Sequence, residues 1–183
     1  MNYIELMVEE HKNIKRMLVI VRKYCYKILT EEVNYEDFFA LIDFVRNYAD
    51  KHHHGKEEKL LFDKMVKELG HTAAKLIQNG MLVEHDMGRL YMQELEIAVN
   101  KVIEGDDEAR LDVIANAISY THLLERHIEK EDTVVYQFAQ KNLSKETQQI
   151  IEKECSQFEQ EAVDNGIQIK YLDLLSEFEK RIN

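Results

Sequence analysis

The chain has 183 residues, with 32% charged and 45% hydrophobic side chains, no proline, no tryptophan and only 6 glycines. It is long enough to bury a core without staples, yet so poor in breakers that few tight turns are available. A net charge of −11 sets it against nucleic acid and anionic membrane, both polyanions.

Apolar residues recurring at steps of three and four predict four long helices and a helical tail. The first spans about residues 2–29, with an inward stripe of Ile4, Val8, His11, Ile14, Leu18, Val21, Cys25 and Ile28. The second covers about 35–69, through Ile42, Val45, Ala49, His53, Glu57 and Leu60, and Gly70 is its stop. The third lies within about 72–104, with Met81, His85, Gly88, Met92, Leu95, Val99 and Val102 on one face. After Gly105-Asp106-Asp107 the fourth runs over about 108–141, through Ala117, Tyr120, Leu124, His127, Glu131, Val134 and Phe138. Ser144 with Thr147 starts a further helix to about residue 164, and Gly166 precedes a short amphipathic piece, Ile169 to Ile182. These stripes predict an all-α fold: an up-down four-helix bundle with additional C-terminal helices packed on it. The expectation is one domain over 1–183, with a metal-binding bundle in 1–142 and a helical extension in 143–183.

No basic-then-apolar leader opens the chain, and the longest apolar run, Met17 to Val21, is far below a membrane span. Cys25 and Cys155 lack metal or redox spacing, which suits reduced thiols and a cytoplasmic location.

Two stretches repeat one pattern. His53-His54-Gly55-Lys56-Glu57-Glu58-Lys59-Leu60-Leu61-Phe62 is echoed by His127-Ile128-Glu129-Lys130-Glu131-Asp132-Thr133-Val134-Val135-Tyr136. Residues four apart share a helix face, so each stretch aims an imidazole and a carboxylate at one point. His11, His53, His85 and His127 each fall on the inward stripe of a different helix, joined by Glu57 and Glu131. A buried carboxylate without a partner costs several kcal/mol, so acids on core stripes must be paired or bound to a cation. Imidazole with carboxylate suits iron, manganese or zinc. The spacing leaves His54 open to either a ligand or a packing role, about 100° round the helix from His53. A solvated place is expected for His52, an exposed turn for His71, and a structural role for His122. Glu58 and Asp132 could hold imidazole N–H groups of neighbouring helices or stand as surface charge near Lys56 and Lys130. Arg89 reads as an ion-pair partner, and Tyr120 as either a core tyrosine or a donor near a bound oxygen species.

With His11, His53-x-x-x-Glu57, His85 and His127-x-x-x-Glu131 in place, the chain resembles the hemerythrin-like HHE cation-binding domains, bacterial branch, over about residues 1–140. The run Glu84-His85-Asp86-Met87-Gly88-Arg89 adds to the likeness. The resemblance implies a pair of iron ions (zinc or manganese as substitutes), with a shared hydroxide or oxo bridge, handling O2, NO or peroxide. In some relatives the residue after the second-helix histidine supplies a ligand, which brings His54 into the set His11, His53, His54, Glu57, His85, His127 and Glu131. The chain departs from oxygen carriers at Arg89, where they place a second histidine, and at Glu131, where they use an aspartate one residue later. Both departures count against reversible oxygen carriage. The expected function is therefore binding or sensing of a small diatomic ligand or peroxide. Iron handling, such as iron–sulfur cluster repair, ranks below it, because relatives proposed for that role carry an extra N-terminal cysteine-bearing segment not seen here. A metal-free helical adaptor ranks last, and bound metal would separate it from the other two.

Overall fold

The computed structural model describes residues 2–182. Met1 and Asn183, the outermost residues of the expected unit, lie outside them. Helix α1 covers Tyr3–Thr30. Asn2 opens it by accepting from the backbone N–H groups of Ile4 and Glu5, while the Glu5 carboxylate accepts from the Asn2 N–H. That reciprocal pair satisfies donors that a helix start leaves orphaned. Helix α2 runs over residues 36–69 and α3 over 71–103. Gly70 parts them at φ +64°, a left-handed conformation that a side chain would strain, so the expected stop is a one-residue corner. Helix α4 covers residues 110–142. Ser144 accepts from the Thr147 N–H at 3.2 Å and starts α5, Lys145–Asp164, and α6 follows as Ile167–Ile182.

Helices α1 and α3 each pack against both α2 and α4, so successive rods joined by short turns run up and down around one axis. The protein is an all-α helical bundle, and no strand occurs among the described residues. Helices α5 and α6 lie against α1 and α2. Tyr171, Leu175 and Phe178 of α6 enter the core at 2%, 0% and 1% exposure, and Ile151 and Cys155 of α5 enter at 0% and 2%. Arg16 grips Glu179 through two nitrogens, each at 2.8 Å. Leu172 and Phe158 are half-buried.

The core divides into two apolar clusters. One gathers Ile14 to Ile28 of α1, Phe38 to Ala49 of α2, Met92 to Val99 of α3 and Val113 to Ile128 of α4. The other gathers Tyr3 to Met7, Leu61 to Met65, Ala73 to Met81 and Val135 to Leu143. On every helix of the bundle the predicted histidines and glutamates fall between the two, so a polar layer is sandwiched in an apolar interior. Gly88 serves the contact next to that layer: a Cβ there would meet the Tyr120 ring at 3.4 Å, so α3 and α4 approach closely.

The register of the stripes differs from expectation beside that layer. Over Val45–His54, Glu57–Phe62 and Glu131–Val135 the backbone hydrogen bonds run i→i+5 rather than i→i+4. Each such wide turn inserts a residue's worth of rotation, and the inward face slips by one position. Val135 and Tyr136 are buried at 0% and 1%, whereas Val134, expected inside, is 51% exposed. Ala139 likewise replaces Phe138, and Leu61 replaces Leu60, as the deeper residue.

Candidate metal centre

Four of the predicted side chains, His53, His54, Glu57 and Glu131, ride on these wide turns. His11 from α1, His53, His54 and Glu57 from α2, His85 from α3, and His127 and Glu131 from α4 converge between the clusters, each 4% exposed or less. One donor atom each from His11, His53, Glu57 and Glu131 lie within 4.8 Å of one another, and so do those from His54, Glu57, His85 and His127. Glu57 belongs to both groups, its Oε2 standing 3.7 Å from His53 Nε2 and 3.7 Å from His85 Nε2. Glu131 also spans them, with Oε2 at 3.3 Å from His11 Nε2 and Oε1 at 3.0 Å from His127 Nε2. His54 is stacked on His85 with ring centres 3.9 Å apart, so the structure puts it inside the group and not merely beside it.

Lone pairs in this space have nothing to accept from. His53 Nε2, Glu57 Oε2 and both Glu131 oxygens are buried without a hydrogen-bond partner. Orphaned buried acceptors cost about 1–3 kcal/mol each, so several converging in one place would be hard to tolerate in a merely structural cluster. Two carboxylates and five imidazoles converging here, with His53 Nε2, Glu57 Oε2 and both Glu131 oxygens unpartnered, fit divalent cations of the iron, manganese or zinc kind. Burial and the charge of Glu131 push the Glu57 carboxyl well above the usual range, while the nearby His127 overcomes burial to hold Glu131 well below it. His127 rises to about 10 because Glu131 outweighs its burial, and His53 falls to about 4 through burial and the neighbouring His11. Protons thus balance the charge here, and an incoming cation must displace them.

Outside the donors sits a closed circuit of acids. Asp132 of α4 accepts from His11 Nδ1 at 2.7 Å, and Glu10 of α1 from His53 Nδ1 at 2.8 Å. Glu58 of α2 accepts from His85 Nδ1 at 2.7 Å, and Glu84 of α3 from His127 Nδ1 at 2.9 Å. Each helix therefore orients the imidazole of the next, and every Nδ1–H so engaged leaves Nε2 as the inward donor. His54 Nδ1 is looser, 3.4 Å from Asp50 Oδ1. Glu10, Glu58 and Asp132 stay below the usual carboxylate range against their burial, held there by the facing imidazoles and cations. Glu84 does so chiefly through His127.

Glu58 and Asp132 thus take the orienting role rather than the surface one. Arg89 forms the expected ion pairs, with Asp50, Glu58 and Asp86. His71 and His122 are exposed. His52 corrects the expectation of a solvated side chain: it is 4% exposed and bonds Glu10 at 3.0 Å, because α5 covers that face of α2. Tyr136 was not anticipated as more than a packing aromatic. The slipped register swings it inward, where its hydroxyl donates to Glu57 and its ring stacks on His11 at 5.6 Å. Beside His54 and His85 lies a cavity of about 230 Å³, bordered by Gly88, Arg89, Met92 and Tyr120. The Tyr120 hydroxyl there is buried without a partner.

A family model described as the hemerythrin HHE cation binding domain matches residues 2–139. The chain belongs to this family. Curated relatives include uncharacterized proteins of Mycobacterium tuberculosis and Mycobacterium bovis, each 24% identical over 135 residues. The match takes in 72% of this chain and 51% of each relative, so the chain spans about half the length of the curated relatives it matches. Membership carries cation binding with it, and the buried His/Glu groups are able to hold metal. Helices α5 and α6 lie beyond the matched hemerythrin-like part. No helix among the described residues is long and apolar enough to cross a membrane.

Proposed function

We propose that this hemerythrin-like protein holds a pair of iron ions and uses them to bind or sense O2, NO or peroxide. The observation that carries this reading is the pair of four-donor groups sharing Glu57, with Glu131 reaching into both. His11 and His53 would hold one ion, His54, His85 and His127 the other, and the two glutamates would reach both. Iron bound there supplies a change of oxidation state and open coordination positions for a small ligand.

The chain's own residues set the terms. Asp132, Glu10, Glu58 and Glu84 fix the tautomer and direction of four imidazoles. Tyr136 ties down one oxygen of Glu57 and leaves the other facing the histidines. The apolar clusters on either side exclude water. The cavity of about 230 Å³ against His54 and His85 admits a molecule of a few atoms, with the Tyr120 O–H available to donate to it. Arg89, committed to three carboxylates, closes its outer edge.

The test is to load the purified chain with ferrous iron anaerobically and add nitric oxide, oxygen or hydrogen peroxide in separate cuvettes. A new visible absorption band with at least one of the three is expected. Iron-loaded protein whose spectrum responds to none of them contradicts the small-molecule reading.

A further inference from the structure

The five acids behind the histidines are each pinned by a cation, and four of these pairings lie at the surface. Lys15 holds Asp132, Lys130 holds Glu84, and Arg89 holds both Glu58 and Asp50; these cations are 47%, 47% and 39% exposed. The fifth is different. Lys56, which pins Glu10, is 0% exposed. Its ammonium lies between Glu10 and Glu159, with His52 Nε2 at 3.5 Å and the Phe158 ring at 5.7 Å. Glu159 and Phe158 come from α5, and Gln168 of α6 donates to the second oxygen of Glu159 at 2.9 Å. A sealed ammonium costs several kcal/mol unless its charge is matched and its N–H groups are accepted. Glu159 supplies part of that match from outside the hemerythrin-like part, and Glu10 supplies the rest while also accepting from His53.

We propose that Glu159 is a positioning residue for the metal centre: through Lys56 and Glu10 it fixes His53, so that the C-terminal helices complete one of the two cation sites. The ammonium already fills the space among Glu10, His52 and Glu159, so this group is a strut and not a third cation site. The effect is one-sided. Glu10 reaches His53, which belongs to the group with His11, Glu57 and Glu131, while the acids that orient His85 and His127 do not touch Lys56.

The inference rests on the metal reading for its consequence, but its first readout needs no metal. In ¹H–¹⁵N imidazole spectra of the apo chain, Glu159→Gln is expected to move the His53 Nδ1–H resonance and leave those of His85 and His127 in place. In anaerobic titrations with Co²⁺, the same variant is expected to weaken one of two equivalents by about tenfold or more and spare the other. If His53 does not move, or both equivalents weaken alike, the inference is overturned, since a general loss of stability would account for either. Gln168→Ala, which only frees one Glu159 oxygen, guards against a folding failure: it must shift His53 in the same direction by less, and an unmoved resonance there also overturns the inference. A chain that takes up no Co²⁺ while His53 still moves defeats the metal reading alone.

Discussion

Lys56 and Lys130 hold matching places in two stretches of one pattern, yet one is sealed and the other is 47% exposed. The local pattern is the same; the difference comes from α5, whose Glu159 and Phe158 lie over Lys56 on α2. Such a fate is set by a helix a hundred residues away in the chain, so spacing alone does not reveal it. The acids behind the imidazoles were half legible. Glu58 and Asp132 each follow a glutamate donor, and that repetition marked them. Glu10 and Glu84 each directly precede a histidine, a doublet that could have been noticed, but a single adjacent acid is common on any solvated helix. The thiols offer a test at this scale. Burial, the leading cause in each, pushes Cys25 and Cys155 up to about 12. A raised thiol pKa contributes stability that is complete below the ordinary range and is lost as pH rises toward the folded value. At pH 8 the native chain should carry roughly a thousandth of the thiolate of an unfolded one. Alkylation by iodoacetamide should therefore be very slow in native buffer and fast in urea, followed by mass; fast labelling of native protein would contradict the burial of both.

The helices themselves were readable because 3.6-residue periodicity persists over many turns and glycines are few. What periodicity misses is a change of pitch. A stripe extrapolated across Glu131 puts Val134 inside, since nothing in residue type announces an i→i+5 turn. The reason for the turn is plain once the site is visible: it lets Glu131 face the histidines while Tyr136 still reaches Glu57. The register is testable by paired substitutions. Val134→Lys, at a 51% exposed position, should change unfolding free energy by no more than about 0.5 kcal/mol. Val135→Ala, at a 0% exposed position, should cost about 2 kcal/mol through lost burial and a residual cavity. Urea denaturation measures both, and a larger loss at Val134 than at Val135 would restore the ordinary helical register.

At the scale of the molecule, the two apolar clusters and the polar layer between them follow from one arrangement: every helix of the bundle brings a histidine at the same height. That arrangement was written in the stripes, and the family match over residues 2–139 agrees with it. The tie between the C-terminal helices and His53 was not, because Glu159 sits on a half-buried face that reads as ordinary surface charge. The proposed centre holds two cations, with Glu57 common to both donor groups, so the number of metal ions bound per chain is the direct measurement. Anaerobic loading with ferrous iron, removal of loose metal and elemental analysis should give two per chain, falling by at least one in Glu57→Ala and in Glu131→Ala. A chain that retains no metal, or one whose content is the same in both variants as in the parent, would contradict a centre built on these glutamates.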